Sequence, residues 1–217
     1  MAHSRYLERV NRESELRALR YQLNPHFVFN ALNSVSSLII DRKNKKAEKL
    51  VDDLADYMRA VLTDGAEDMV AVEQEIAQQV RYLEIERMRF PDRLHYFVNI
   101  DATAHGWMIP ALIIQPLIEN AVKFGVSGTD QPVNIIISAQ REGDRLCISV
   151  ANDGRVKRPA GLAHKRTPGT GTGLINIQER LRALYGQNAS LLLANNNDGM
   201  AIATIVLPDP SLIFQDI

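Results

Sequence analysis

Cysteine is almost missing from this chain: among 217 residues there is one, Cys147. A single thiol excludes an internal disulfide framework and any metal site built on clustered cysteines, and it points to a reducing, cytoplasmic setting. An excess of one charge is missing too. Lysine plus arginine number 25 and aspartate plus glutamate 26, a formal net charge of −1. No overall field therefore draws in nucleic acid or an anionic membrane surface. No apolar run is long enough to span a bilayer. The most apolar stretch, Met108–Ile118, is short and interrupted by Pro110, Gln115 and Pro116. Met1–Arg12 is charged and lacks the apolar segment of a secretory signal. Direct membrane contact is not expected of this chain, and any membrane or sensory domain would lie outside it. Residues 1–14 are too short for a sensory domain and read as the tail of a signalling helix.

Glycine and proline are scarce in the first 90 residues, where Gly65 and Pro25 stand alone. So little turn chemistry favours long helices. Leu16, Leu19 and Leu23 recur at helical spacing, and the pattern continues through His26, Phe27, Asn30 and Ala31. Polar Asp41–Lys46 suggests a bend. A second helix follows on Leu50, Leu54, Tyr57, Met58, Val61 and Leu62, broken at Thr63–Asp68. A third carries Val72, Ile76, Val80, Leu83 and Ile85 and ends near Pro91. Two amphipathic helices joined by a bend form a hairpin whose apolar stripe has little to cover it. Pairing two copies into a four-helix bundle would bury that stripe, so a homodimer is expected.

What the chain does have is a large apolar share, 46%, enough for a substantial core at this length. After residue 92 the pattern becomes mixed. Strands are expected at Leu94–Ile100, Val133–Ala139, Leu146–Ala151, Ser190–Leu193 and Ala201–Leu207. Helices are expected at Ile109–Phe124, with Pro110 at its start, and at Leu174–Tyr185. Gly143-Asp144 turns one strand into the next, and Arg155–Thr172, rich in glycine, proline and basic residues, reads as a loop. The fold class is therefore α+β: a helical hairpin over residues 1–68, then a connecting helix and a sheet covered by helices on one face over 69–217.

Three clusters in the second half carry chemistry. Asn120 and Lys123 are three apart on one helix face, beside Glu119. An amide oxygen can ligate Mg²⁺ while an ammonium meets phosphate; the alternative is a packing amide and a solvated charge. Asn152-Asp153-Gly154 ends a strand. A carboxylate that only accepts hydrogen bonds suits the exocyclic amine of adenine, although the tripeptide alone reads as an Asx turn. Gly169-Thr-Gly-Thr-Gly173 opens onto a helix, where backbone N–H groups can cradle phosphate; alone it equally suits a flexible linker. It is not a Walker A loop, because no Gly-Lys-Ser/Thr follows.

Taken in order, Asn…Asp-Gly…Gly-x-Gly resembles the ATP-binding domain shared by histidine kinases, gyrase, Hsp90 and MutL. The resemblance implies that Asn120 holds Mg²⁺, that Asp153 with Gly154 contacts adenine, and that Gly169, Gly171, Gly173 and Asn176 border the phosphates, with residues 155–172 as a lid. Gln22-Leu-Asn-Pro-His-Phe-Val-Phe-Asn-Ala-Leu-Asn33 resembles the phosphoacceptor box of LytS/YehU-type sensor histidine kinases. Ile109–Lys123 resembles their N box, and Tyr82-Leu-Glu-Ile-Glu, Arg89-Phe-Pro-Asp-Arg-Leu94 and Gly173–Leu181 also fit. The resemblance covers roughly residues 15–208. It implies a cytoplasmic kinase core that takes the γ-phosphoryl of Mg-ATP onto His26 and passes it to an aspartate of a response regulator.

The residue chemistry suits that role. A neutral imidazole is nucleophilic, and Asn30 lies one helical turn from His26. Pro25 disturbs the backbone just before the histidine. The sequence departs from the family at Phe27, where many histidine kinases carry an acid, and at Phe124, where a histidine commonly follows the lysine. Thr204 stands in the last strand without the paired threonine often found there. Glu119 becomes the candidate general base. His3, His95 and His105 have no partner spacing and read as surface residues. Two other readings fit the ATP-binding half: a serine kinase of anti-sigma type, and a nucleotide-binding dimeric scaffold without catalysis.

Overall fold

The computed structural model describes residues 24–64, 69–126, 129–153, 172–196 and 199–209. The Leu16, Leu19 and Leu23 repeat and residues 154–171 lie outside them. Helix α1 (Pro25–Ile40) starts at the proline the sequence singled out. Pro25 occupies the first turn, where a missing N–H costs nothing, so it begins the helix instead of disturbing one. The Asn24 side chain caps it, accepting from the His26 and Phe27 amides at 3.2 and 3.3 Å.

The bend is shorter than expected. Asp41–Lys43 suffices, with Arg42 at φ 58°, and α2 (Asn44–Asp64) starts within the polar stretch. Helix α3 (Val72–Arg89) follows a three-residue strand, β1 (Met69–Ala71). Phe27, Tyr57 and Tyr82 bring one ring from each helix together: Phe27 stacks on Tyr82 at 4.6 Å and meets Tyr57 edge-on at 5.2 Å.

The sheet order is β2-β4-β5-β7-β6, from β2 (Leu94–Ile100), β4 (Val133–Glu142), β5 (Arg145–Asp153), β6 (Ser190–Asn195) and β7 (Met200–Pro208). Strands β2 and β4 run parallel; the other pairs are antiparallel. Between β2 and β4 the chain makes a short 3-10 turn (Ala102–Ala104), strand β3 (Met108–Pro110) and helix α4 (Gln115–Gly125). Helix α5 (Thr172–Tyr185) lies between β5 and β6 in sequence. Val133, Ile135, Ile137 and Ala139 of β4 alternate inward with Leu146, Ile148 and Val150 of β5. Leu117, Ile118 and Ala121 of α4 and Ile177 and Leu181 of α5 complete the core. This is the expected α+β layering. Among the described residues no helix is long and apolar enough to cross a membrane.

The helix expected from Ile109 begins at Gln115 instead, with Pro116 in its first turn. Residues 108–110 are taken by β3, which pairs antiparallel with β1, Val70 opposite Ile109. A buried carboxylate fixes the junction. Glu75, 1% exposed, accepts the amides of Leu112 at 2.9 Å and Ile114 at 3.2 Å, and Leu112 takes φ 59°. Backbone groups that a longer helix would bond internally are thus satisfied from α3.

Burial is the largest influence on Glu75 and pushes its carboxyl from 4.5 up to about 7, although both amide hydrogen bonds and the Arg180 charge act the other way. The unfolded chain loses this proton first as pH rises, so the folded state binds more protons between those values and stability falls across that window. Glu75→Gln removes the titration. Its stability should decline less between pH 5 and pH 8 than that of the wild type, by on the order of 1–3 kcal/mol in urea melts. Parallel pH profiles for the two proteins would contradict this.

Candidate functional site

His26 and Phe27 are neighbours with opposite fates. Phe27 is 3% exposed, locked in the three-ring cluster. His26, a turn of about 100° away, is exposed. The amide nitrogen of Asn30 lies 3.1 Å from His26 Nδ1 and 3.3 Å from Nε2. A neutral ring has one lone pair, so this N–H can meet only the unprotonated nitrogen, and the other ring nitrogen is left to donate. Phe27, at the position where the resemblance leads one to look for an acid, instead anchors the helix.

The ring opens into a cleft of about 570 Å³ between α1, α3 and α4. The α4 wall is Pro116, Glu119, Asn120, Val122 and Lys123; Gly173 of α5 borders it. The α3 side supplies Tyr82, Glu86, Arg89 and Phe90. One side-chain bond ties the walls: Asn24 Nδ2 donates to Glu119 Oε2 at 3.3 Å while Gln115 Nε2 donates to Oε1 at 2.9 Å. Asn24 therefore caps α1 with its oxygen and holds α4 with its nitrogen.

Burial raises the Glu119 carboxyl above its ordinary value, with the Gln115 and Asn24 hydrogen bonds acting against it. A raised carboxyl suits a base, yet both oxygens already accept a hydrogen bond, so taking a proton requires exchanging one of them. Glu86, 3% exposed, is also raised, chiefly by burial; the Arg89 and His26 charges and a Tyr82 hydrogen bond oppose that.

The volume lies in the range of a small-molecule or cofactor site. Among the described residues no group of three His, Cys, Asp or Glu side chains could hold a metal. Asn120 offers one amide oxygen. That donor set fits Mg²⁺, which commonly takes one or two protein oxygens plus substrate phosphates. Gly173 admits close packing: a Cβ there would lie 3.3 Å from the Pro116 Cβ.

At the end of β5 the two polar side chains take opposite faces of the sheet. Asn152 continues the inward series of Ile148 and Val150 and is 9% exposed. Asp153 falls on the other face, where its Oδ2 accepts from the Asn134 amide at 2.7 Å and from Asn134 Nδ2 at 2.8 Å. Alternation along a strand forces this choice, because successive side chains leave opposite faces. Asn152 also packs on α4: a Cβ at Gly125 would sit 3.4 Å from Asn152 Nδ2.

Gly154, Gly169 and Gly171 lie outside the described residues. Asn176 is exposed on α5 and does not border the cleft. His95 and His105 are exposed, as expected; His3 is outside the described part. Lys123 lies over the Phe124 ring at 5.4 Å. Sequence reasoning missed Asn24, Glu86, Arg89 and Asn152. The Asn-Pro cap signal could have shown the first and strand periodicity the last. Glu86 and Arg89 carry no signal in residue order that separates them from an i,i+3 surface pair.

Two family models match. One, described as histidine kinase, covers residues 14–94. The other, described as histidine kinase-, DNA gyrase B- and HSP90-like ATPase, covers 109–211. The chain is 33% identical over 202 residues to sensor protein LytS of Staphylococcus saprophyticus, matching 90% of this chain and 34% of the relative. It is 34% identical over 196 residues to sensor histidine kinase BtsS of Escherichia coli, with the same coverage. The chain thus spans about a third of the length of these relatives. A solved bacterial phosphotransferase shares the fold, with TM-score 0.50 and 10% identity over 88% of this chain and 92% of that one.

The Asn24–Glu119 bond sets a measurable coupling. Asn24→Ala should cost about 1 kcal/mol through the lost cap. Combined with Glu119→Gln in a double-mutant cycle on unfolding free energy, it should show a further interaction of about 1 kcal/mol. Additivity within about 0.3 kcal/mol would mean the two side chains are energetically independent.

Proposed function

The chain belongs to the LytS-type family of sensor histidine kinases, and from that premise we propose that it transfers the γ-phosphoryl of Mg-ATP to His26 and then to an aspartate of a response regulator. The observation that carries the proposal is the shared cleft: the His26 ring and the Asn120–Lys123 face border one space. Nucleophile and phosphate-binding groups so placed need little travel, and catalysis is then mostly positioning and charge neutralisation.

In this reading one His26 nitrogen attacks the γ-phosphorus while the other keeps its proton, and the Asn30 amide N–H, which meets the unprotonated nitrogen, gives way to the phosphoryl group. Lys123 meets the phosphates, and Gly173 at the start of α5 borders them. Asn120 supplies an amide oxygen for Mg²⁺, which bound there offsets phosphate charge. Asn152, not Asp153, meets the base, because its side chain lies on the helix-covered face of the sheet and an amide oxygen accepts from an exocyclic amine as a carboxylate would. Asp153 holds the strand end through Asn134. Glu119 remains the candidate base, once it releases Asn24 or Gln115. Residues 1–68 act as the acceptor hairpin and 69–217 as the connecting helix and nucleotide domain, on the cytoplasmic side where ATP and a response regulator are available. Phe29, Leu32 and Ile40 lie along the exposed side of α1, opposite Phe27 and Ala31. That stripe pairs with a second copy in a homodimer, as an uncovered apolar patch requires.

Incubation with radiolabelled ATP and Mg²⁺ should label the wild type with an acid-labile phosphate and leave His26→Ala unlabelled. Equal labelling of both proteins, or an acid-stable product as a serine kinase would give, overturns the assignment. For the base contact, Asn152→Ala should weaken Mg-ATP binding by roughly tenfold. Asp153→Ala should instead lower thermal stability with affinity kept, measured by nucleotide displacement and calorimetry. The reverse pattern would return the contact to Asp153.

A further inference from the structure

The segment Tyr82–Arg89 matches its family in sequence without a chemical role, and the structure places it against His26. Tyr82 stacks on Phe27, one residue from the imidazole. Glu86, held under the surface at 3% exposure, pairs with Arg89 at 3.0 Å through Nη1 and borders the same cleft as Tyr82 and His26. The guanidinium also stacks on Phe90 at 4.7 Å. Among the described residues Arg89 is ion-paired through this one nitrogen, so the rest of its planar fork is not committed to a carboxylate. The same cleft holds His26, Asn120 and Lys123.

We propose that Arg89 is a catalytic residue that receives the oxygens of the phosphoryl group as it reaches His26, and that Glu86 is the positioning residue that aims it. This rests on the kinase reading above and names the acceptor-side cation of that same site. As the N–P bond forms from one ring nitrogen, the bond from Pγ to the β–γ bridging oxygen breaks and its electron pair leaves with ADP. The other ring nitrogen keeps its proton through the step and gives it to water afterwards. Negative charge sits on three phosphoryl oxygens throughout, and a rigid bidentate donor already anchored by a buried carboxylate suits them. Lys123 lines the cleft from α4 with the N box, and Arg89 lines it from α3.

The test separates this inference from the kinase reading by adding a donor that needs no nucleotide. Potassium phosphoramidate phosphorylates histidine as its P–N bond breaks and ammonia leaves. The ³¹P resonance of phosphorylated His26, assigned by its absence in His26→Ala, is then titrated against pH. A nearby guanidinium favours the dianion, so the Glu86→Gln/Arg89→Met double variant, which leaves no unpaired buried charge, should titrate about one unit higher than wild type. Superimposable curves would overturn the placement, whether or not ATP labels the protein. With ATP, the same variant should lose roughly 100-fold in labelling rate with ADP affinity kept; a rate equal to wild type would overturn the catalytic role. Should the double variant fail to fold, Arg89→Lys keeps the charge and loses the fork. Its labelling rate should fall roughly tenfold, and an unchanged rate would sink the proposal.

Discussion

The docking of α1 onto the rest of the chain governs everything else in this molecule. It rests on two adjoining features. Phe27 inserts into the Tyr57–Tyr82 pair, and Asn24 both caps the helix and bonds Glu119. The first is apolar, non-directional and strong; the second is polar and easily exchanged with water. One fixes that the helix sits here, and the other fixes its rotation. Because Phe27 must point inward, His26 must point toward the cleft.

The polar seam between α1, α3 and α4 is unusual for so buried a place. Glu75, Glu86 and Glu119 all carry carboxyls raised by burial, and Tyr57 and Tyr82 are raised for the same reason. An apolar seam would hold the hairpin more tightly. A seam of exchangeable hydrogen bonds separates more readily, because water replaces each partner at little net cost. Glu75 differs from the other two: it serves the backbone of the 111–114 turn and so sets where the N-box helix begins.

Much of the architecture was legible in the chain. The scarcity of glycine and proline before residue 90 gave the helices, and the alternation in 133–139 and 146–151 gave the central hairpin with its turn at Gly143-Asp144. The errors came where a tertiary partner competes with local pattern. Residues 108–110 carry an apolar run compatible with helix, but β1 offers them a strand partner and Glu75 captures the amides that follow. Pro25 looked like a disturbance because the Leu16, Leu19 and Leu23 spacing before it, outside the described residues, reads as the same helix continuing.

The sequence by itself determined which side chains are chemically available: an exposed-type histidine in an Asn-Pro-His setting, an amide and an ammonium one turn apart, and a glycine-rich approach to a helix. Spacing along a helix or strand is a local property, so it can be read from residue order. Only the tertiary structure decided which of these groups meet. Asn24 and Glu119 are 95 positions apart, and Arg89 shares a cleft with His26 through the packing of three rings that local periodicity does not encode. Asn152 and Asp153 are adjacent and similar, and which of them is buried was decided by which face of the sheet the helices cover.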